Sequence, residues 1–127
     1  MAYEVRIKRI YEAPSPDDGY RVLVDRLWPR GVSKVRAALD AWDKTQVPPS
    51  TQLREWFGHD PAKFDAFRAQ YLDELDERPE AHEFVRQVAD LLQHENVTLL
   101  YAAKDPACNH AVILESWIKE QLAKQPR

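Results

Sequence analysis

The sequence predicts a small three-layer α/β domain, in which helices flank a mainly parallel sheet of three or four strands. Two segments, YRVLVDRLW (20–28) and VTLLYAA (97–103), carry apolar residues at successive positions, which is typical of strands covered on both faces. The helix–strand–loop–helix order toward the carboxyl terminus favours α/β over a helical bundle. With 127 residues, of which 44% are hydrophobic, the chain can bury one core, so we expect a single domain over residues 1–127.

A third strand is predicted over residues 3–12, where apolar and charged side chains alternate. PSPDDGY then marks a loop, and residues 20–28 and 97–103 are expected to be neighbouring parallel strands in the sheet interior. If so, their carboxyl ends lie side by side.

Helices are predicted between these strands from their start and stop signals. Ser33 is a candidate cap for a short helix over 34–39, and Ser50 and Gly58 bound a second one. Asp60-Pro61 begins a third helix, which Arg78-Pro79 closes. A fourth runs from Pro79 to near Asn96, and the last one begins at about 108–110.

Composition excludes several classes of protein. No apolar stretch approaches the length of a membrane span, and the first ten residues, MAYEVRIKRI, lack the apolar region of a signal peptide. One cysteine excludes an intramolecular disulfide. We therefore expect a cytoplasmic protein without a membrane partner. The net charge of −3 argues against a generally basic nucleic-acid coat.

The charge is unevenly distributed along the chain. Residues 1–36 carry 8 basic and 5 acidic side chains, 37–95 carry 6 and 13, and 96–127 carry 4 and 3. The basic ends suggest a local surface that attracts anions. A solvated acidic face on the central helices explains the same numbers.

Two polar clusters follow the two central strands: DRLWPRG (25–31) and KDPACNH (104–110). In open α/β sheets, ligands bind in the crevice outside the carboxyl ends of the strands. If the strands are parallel neighbours, Arg26, Arg30, Lys104 and His110 meet in one crevice, and the amino-terminal end of the last helix adds its positive dipole. This combination fits a phosphate, a carboxylate or a nucleic-acid backbone.

Purely structural roles are open for the same residues. Asp25 and Arg26 could form ion pairs that hold the strand ends, and Trp28 could stack on Arg30. Asp105 could cap the last helix, while Asn109 closes an Asx turn. For His110 we favour function, because a histidine in the first turn of a helix gains nothing from the dipole.

Cys108 and the histidines give weaker signals. Lys104 and His110 lie near Cys108 in sequence, but no orienting group other than Asp105 is evident, so we expect Cys108 to be dispensable. The four histidines lack metal-ligand spacing, and three glycines cannot build a GxGxxG or Walker loop. No metal or other cofactor is therefore expected, and His59 reads as a surface or hinge residue.

Three motifs in order, DGYRVLVDRLWPRGVSK, LREWFGHDP and VTLLYAAKD…NHA, closely resemble the DUF488 family, in its small YeaO-like branch. The resemblance covers nearly the whole chain and implies a bacterial or archaeal α/β protein without an assigned reaction. The family's recurrent residues carry over to Asp25, Arg26, Trp28, Pro29, Arg30, Gly31, His59, Asp60, Lys104, Asp105, Asn109 and His110. The DPAC segment departs from the family pattern, which weakens a nucleophilic role for Cys108.

The leading hypothesis is a crevice for a phosphate-bearing small molecule, a nucleotide or nucleic acid. Arg26, Trp28, Arg30, Lys104, Asp105 and Asn109 are its candidate ligand-binding residues. His110 and Asp25 are candidate acid/base or orienting groups, so that an enzymatic role stays open. The alternative is a non-catalytic regulatory or protein-interaction module with an exposed aromatic face, for which Trp28, Trp42 and Trp56 are candidates.

Overall fold

Four parallel strands form the sheet of the computed structural model, which describes residues 3–124. They are β1 (Val5–Arg9), β2 (Tyr20–Leu23), β3 (Ala41–Trp42) and β4 (Val97–Tyr101). Their order in the sheet is β1-β4-β2-β3, and all three pairings are parallel. The prediction that the two apolar segments are neighbouring interior strands is therefore confirmed.

The strands are shorter than the sequence predicts. Residues 20–28 were expected to be one strand, but β2 ends at Leu23, because the chain turns out of the sheet after Val24 donates its N–H to the carbonyl oxygen of Leu100. The strand predicted over 3–12 is confined to Val5–Arg9. The fold class itself, an α/β domain with a parallel sheet, is confirmed.

Five α-helices lie within residues 3–124: α1 (Lys34–Ala37), α2 (Thr51–Phe57), α3 (Phe64–Glu77), α4 (Pro79–Leu91) and α5 (His110–Lys124). Ser33 and Ser50 cap α1 and α2 through their hydroxyl groups, as predicted. Asp60 caps a short 3-10 helix, Pro61–Lys63, that leads into α3. Between residues 3 and 124, no helix combines the length and the apolar character that a membrane crossing requires.

The two faces of the sheet carry two separate hydrophobic clusters. Alternate residues of β2 and β4, including Val22, Val97 and Leu99, pack against the larger helices α2 to α5. Leu23 and Leu100 point to the opposite face, where α1 and its flanking segments cover them. Both faces of the central strands are therefore buried, which explains why their sequences do not alternate.

A buried charged cluster lies on the face of the sheet that α1 covers. The Asp18 carboxylate pairs with Lys8 at 3.0 Å and with the buried guanidinium of Arg21. Arg21 also donates to the carbonyl oxygens of Ala37 and Ala38. This cluster joins β1, β2 and the end of α1.

Gly19 allows the chain to enter β2 against the residue that precedes β4. Its φ is +64°, and a Cβ atom at this position would lie 2.1 Å from the carbonyl oxygen of Asn96. That carbonyl accepts a hydrogen bond from the N–H of Tyr20. Only glycine satisfies both the backbone conformation and this close approach.

Candidate functional site

A cleft of about 570 Å³ opens beyond the carboxyl ends of β2 and β4. Its walls come from the segments that follow the two strands, from the loop and helix over 48–59, and from the start of α5. All eight candidate site residues named from the sequence line it: Asp25, Arg26, Trp28, Arg30, Lys104, Asp105, Asn109 and His110. The parallel pairing of β2 and β4 brings the two polar clusters together here.

Asp25 and His110 connect the strand ends to α5. Oδ2 of Asp25 accepts a hydrogen bond of 2.9 Å from the backbone N–H of Ala102, just after β4. Nε2 of His110 lies 3.1 Å from Oδ1 of Asp25 and 2.9 Å from the carbonyl oxygen of Val24. The pair therefore holds the end of β2, the end of β4 and the first turn of α5 in register.

The same contacts decide which nitrogen of His110 can act on a ligand. A carbonyl oxygen only accepts, so the contact with Val24 places the proton on Nε2. That N–H faces two acceptors, the carbonyl oxygen of Val24 and Oδ1 of Asp25. It forms its hydrogen bond with the carbonyl oxygen, so Oδ1 of Asp25 has no well-aligned donor. Proton exchange with a ligand would have to use Nδ1.

Two of the arginines that line the cleft each have a buried nitrogen without a hydrogen-bond partner. Arg26 donates from Nη2 to the carbonyl oxygen of Pro49 at 3.1 Å, but its buried Nε has no hydrogen-bond partner. The Nε atom of Arg54, on α2, is also buried without a partner. A buried donor without an acceptor costs about 1–3 kcal/mol, so two of them beside one cleft are notable.

Arg30 and Lys104 lie at the mouth of the cleft. Both side chains are exposed and form no hydrogen bond or ion pair with any residue between 3 and 124. The backbone of Arg30 is held by its carbonyl oxygen, which accepts a bond from the Tyr11 hydroxyl at 3.0 Å. Both cationic groups are therefore available to a ligand.

Trp28 packs on another aromatic residue. Its ring meets that of Trp42 edge-on, with 5.2 Å between centroids, and its Nε1 donates to the carbonyl oxygen of Val32. The stacking of Trp28 on Arg30 considered from the sequence is absent among the aromatic–cation contacts of residues 3–124. Trp28 is part of the cleft wall, with its polar edge already satisfied.

The sequence suggested Asp105 as the cap of the last helix and Asn109 as the residue that closes a turn, and in the structure the two roles are reversed. Asp105 closes the turn by accepting from the N–H groups of Ala107 and Cys108, and these bonds hold the pKa of its carboxyl below the usual range. Asn109, which is buried, caps α5 by accepting from the N–H of Val112. The reason is the position of the first helical residue, His110, which makes residue 109 the cap.

The surroundings of Cys108 do not activate its thiol. Burial raises the pKa of Cys108, and the neighbouring Asp105 carboxylate raises it further. A catalytic cysteine needs the opposite shift. The prediction that Cys108 is dispensable stays a prediction.

Sequence reasoning missed part of the wall. Arg54 lies in the quoted LREWFGHDP motif but was not singled out, and His59, read as a surface or hinge residue, lines the cleft. His59 has a φ of +59°, a left-handed conformation that is uncommon for a residue other than glycine. It directly follows Gly58, whose φ is +54°. Two consecutive left-handed residues turn the chain back over the cleft, and the GHDP sequence was the only signal of it.

The charge of the cleft opposes that of the whole chain. Four permanent cations line it, Arg26, Arg30, Arg54 and Lys104, against the carboxylates Asp25 and Asp105. With neutral histidines its net charge is positive, although the chain carries −3. Within residues 3–124, no group of three or more His, Cys, Asp and Glu side chains is arranged to hold a metal ion.

The fold and the cleft define a parallel α/β domain with a polar crevice at the carboxyl ends of its central strands. Residues 4–127 match the family model described as "Inactive DUF488-N3 subclade". The chain belongs to this DUF488 family, as the motifs suggested.

Relatives span almost the same length. The chain is 43% identical to "Uncharacterized protein YeaO" of Escherichia coli K12, over 91% of this chain and 96% of that one. It is 41% identical to "Uncharacterized protein Rv3073c" of Mycobacterium tuberculosis H37Rv and to "Uncharacterized protein Mb3100c" of Mycobacterium bovis, over 87% of this chain and 89% of each relative. No solved structure matches the chain.

Proposed function

We propose that the cleft binds a small anionic ligand, of which a phosphate-bearing molecule is the leading class. The observation that carries the proposal is the set of four permanent cations that line one cleft of an acidic chain: Arg26, Arg30, Arg54 and Lys104. Guanidinium groups match the oxygen geometry of phosphates and carboxylates, and bonds between charged partners are the strong ones. Arg30 and Lys104 are exposed at the cleft and form no ion pair with residues 3–124, so their charges are available to such a ligand.

The apolar part of the wall favours a ligand with a ring or hydrocarbon body. Aromatic side chains of Tyr11, Trp28, Phe57 and Phe67 line the cleft beside the arginines. A volume of about 570 Å³ lies within the usual range of small-molecule sites. A duplex nucleic acid fits less well, because it needs a broad basic face and not a cleft on an acidic body.

Binding without catalysis is the form of the proposal that the site supports best. The matching family model is described as an inactive subclade. Nε2 of His110 is occupied by a carbonyl oxygen, and Asp25 holds the N–H of Ala102, so both candidate acid/base groups serve the scaffold. The raised pKa of Cys108 supplies no nucleophile in their place.

The interaction-module alternative has less support. Among residues 3–124, Trp28 and Trp42 are half-buried against each other, and of the three tryptophans considered for an aromatic face only Trp56 is exposed. The Lys63 ammonium covers the Trp56 ring at 5.1 Å. An exposed aromatic face of the kind that would bind a partner is not formed by these side chains.

Calorimetric titration with inorganic phosphate and phenyl phosphate tests the proposal. The key variant is Arg54→Ala, because the Arg54 side chain makes no hydrogen bond with residues 3–124 whose loss would confuse the result. We expect wild type to bind phenyl phosphate more tightly than phosphate, and Arg54→Ala to lose about ten- to hundredfold in affinity.

Arg36→Ala is the matched control, since Arg36 is an exposed arginine on α1 outside the cleft. It removes the same charge and should leave the affinity unchanged. Equal losses in the two variants would mean that only the overall charge matters. Absence of binding by either phosphate compound to wild type would contradict the proposal.

A further inference from the structure

Tyr11 differs from the other large aromatic residues of the cleft wall because it is exposed, with an exposed fraction of 37%. Phe57 and Phe67 are buried, and their rings stack on each other with 4.1 Å between centroids. Trp28 is half-buried and meets the ring of Trp42 edge-on. Among the phenylalanine, tyrosine and tryptophan residues that line the cleft, Tyr11 is therefore the one whose ring is most accessible to a ligand.

The position of the Tyr11 side chain is nevertheless fixed. Its backbone lies in a turn that the N–H of Glu12 closes by donating to the carbonyl oxygen of Arg9 at 3.1 Å. The guanidinium carbon of Arg9 lies 5.0 Å from the centroid of the Tyr11 ring, and the Tyr11 hydroxyl donates to the carbonyl oxygen of Arg30. Ordering a free side chain costs affinity when a ligand binds. Much of that cost does not arise for a ring that is already held.

The contacts that hold the Tyr11 ring also connect it to the two cations at the mouth of the cleft. Arg9 donates from Nε to the carbonyl oxygen of Ala103 at 2.9 Å, directly before Lys104. The hydroxyl contact ties the ring to the backbone of Arg30. Arg9 is not part of the cleft wall, so it does not separate the ring from a ligand. An accessible ring is thus anchored to the segments that carry Arg30 and Lys104.

From this geometry we infer that Tyr11 determines the specificity of the cleft: a planar aromatic ring of the ligand packs on the Tyr11 ring while its phosphate meets Arg30 and Lys104. The inference rests on the proposed function, because it requires an anion in the cleft. It narrows the ligand to a phosphate ester with an aromatic ring, a nucleobase included, as opposed to one with a saturated body. Aromatic pairs are stabilised beyond the area that they bury, and a saturated ring lacks this contribution.

The test uses two pairs of phosphate esters that carry the same charged group. Phenyl phosphate is compared with cyclohexyl phosphate, and uridine 5′-monophosphate with ribose 5-phosphate, by calorimetric titration of the wild-type protein. We expect the aromatic member to bind about three- to tenfold more tightly in at least one pair. Burial of apolar surface alone would favour cyclohexyl over phenyl phosphate. The pair with the larger ratio tells whether the ring is a simple aryl group or a nucleobase.

Tyr11→Leu should abolish the preference for the aromatic member, because leucine keeps an apolar side chain without a ring. Tyr11→Phe should retain the preference, since it removes only the hydroxyl contact with Arg30. The matched control is Tyr3→Leu: Tyr3 is 38% exposed and lies outside the cleft wall, so the preference should persist. If Tyr11 only supported the fold of the loop, Tyr11→Leu would weaken both members of a pair equally, which would overturn the inference.

NMR of the wild-type protein gives a readout that needs no variant. The ring protons of Tyr11 should shift upfield with phenyl phosphate, because of the ring current of the bound aryl group, and not with cyclohexyl phosphate. Equal affinities within both pairs, or upfield shifts at Trp28 in place of Tyr11, would overturn the inference while the proposed anion site stands. If none of the four esters binds, the proposed function fails and the inference fails with it.

Discussion

Nε2 of His110 lies 3.1 Å from Oδ1 of Asp25, and both side chains are mostly buried, with exposed fractions of 15% and 17%. Because Asp25 also binds the N–H of Ala102, one carboxylate joins the ends of two strands and the start of a helix. This arrangement shapes the cleft and engages Nε2 of His110 and Oδ2 of Asp25, two atoms of the groups that sequence reasoning considered for proton transfer. Its removal should therefore affect stability.

Asp25→Ala should lower the free energy of unfolding by about 1–3 kcal/mol, since it leaves the partly buried N–H of Ala102 without an acceptor and His110 without its carboxylate. Urea denaturation provides the measurement. The control Asp73→Ala, at an exposed position on α3, should change the value by no more than about 0.5 kcal/mol. Similar effects of the two substitutions would refute the structural role of Asp25.

Arg30→Ala should weaken the binding of phenyl phosphate and leave stability nearly unchanged. The side chain is exposed at the cleft and bonds to nothing between residues 3 and 124, so a charged contact worth about 1.5–3 kcal/mol is the only one it loses. Arg30→Lys should recover part of the affinity, since lysine keeps the charge without the planar fork. Unchanged affinity with a clear drop in the free energy of unfolding would assign Arg30 to the scaffold.

Asp18→Asn should destabilise the protein by about 3 kcal/mol at neutral pH, because the buried Arg21 guanidinium loses its carboxylate partner. Burial alone would raise the pKa of Asp18, but hydrogen bonds from Lys8, Ser15 and Arg21 outweigh it and lower the pKa. The carboxylate therefore stabilises the fold above its unfolded pKa of about 3.9, and this contribution is lost as the pH falls through the lower folded pKa.

The difference between wild type and Asp18→Asn should accordingly be constant from about pH 5 to 8 and shrink below about pH 4. Urea unfolding across this range measures it. A difference that grew on acidification would mean that the pKa of Asp18 is raised in the folded protein.

Gly19→Ala should destabilise the protein by more than about 2 kcal/mol, because a Cβ atom at φ +64° would meet the Asn96 carbonyl oxygen at 2.1 Å. Gly31 is the matched control: its φ is +77°, but no atom lies within 4 Å of a Cβ placed there. Gly31→Ala should cost only the backbone strain, about 1–2 kcal/mol. Thermal unfolding compares the two, and equal shifts in Tm would show that the close approach is unimportant.

The central strands β2 and β4 were predictable because a strand that is buried on both faces has apolar residues at successive positions. Strand β3 was not, since two residues, Ala41–Trp42, carry no periodicity. The end of β2 was misjudged because Val24 remains buried after the strand has ended. Apolar composition reports burial, and it does not report where the hydrogen bonding of a strand stops.

The same limit applies to the cleft. Residues that follow β2 and β4 could be placed together, because parallel neighbouring strands end at one edge of the sheet. Arg54 and His59 come from a distant helix and its end, and no local pattern tells which helix covers the strand ends. The swap between Asp105 and Asn109 depended on a shift of the helix start that sequence rules do not resolve.

The strand order has a consequence for how the protein is made. Strands β1 and β2 do not pair with each other; both pair with β4, which begins only at Val97. During synthesis, the first three-quarters of the chain therefore emerges before the central strand β4. Until β4 is made, the apolar faces of β1 and β2 cannot pack in their final positions. The ribosome has to deliver residues up to Tyr101 before β1 or β2 can pair fully with β4, so the long strands of the sheet assemble late in synthesis.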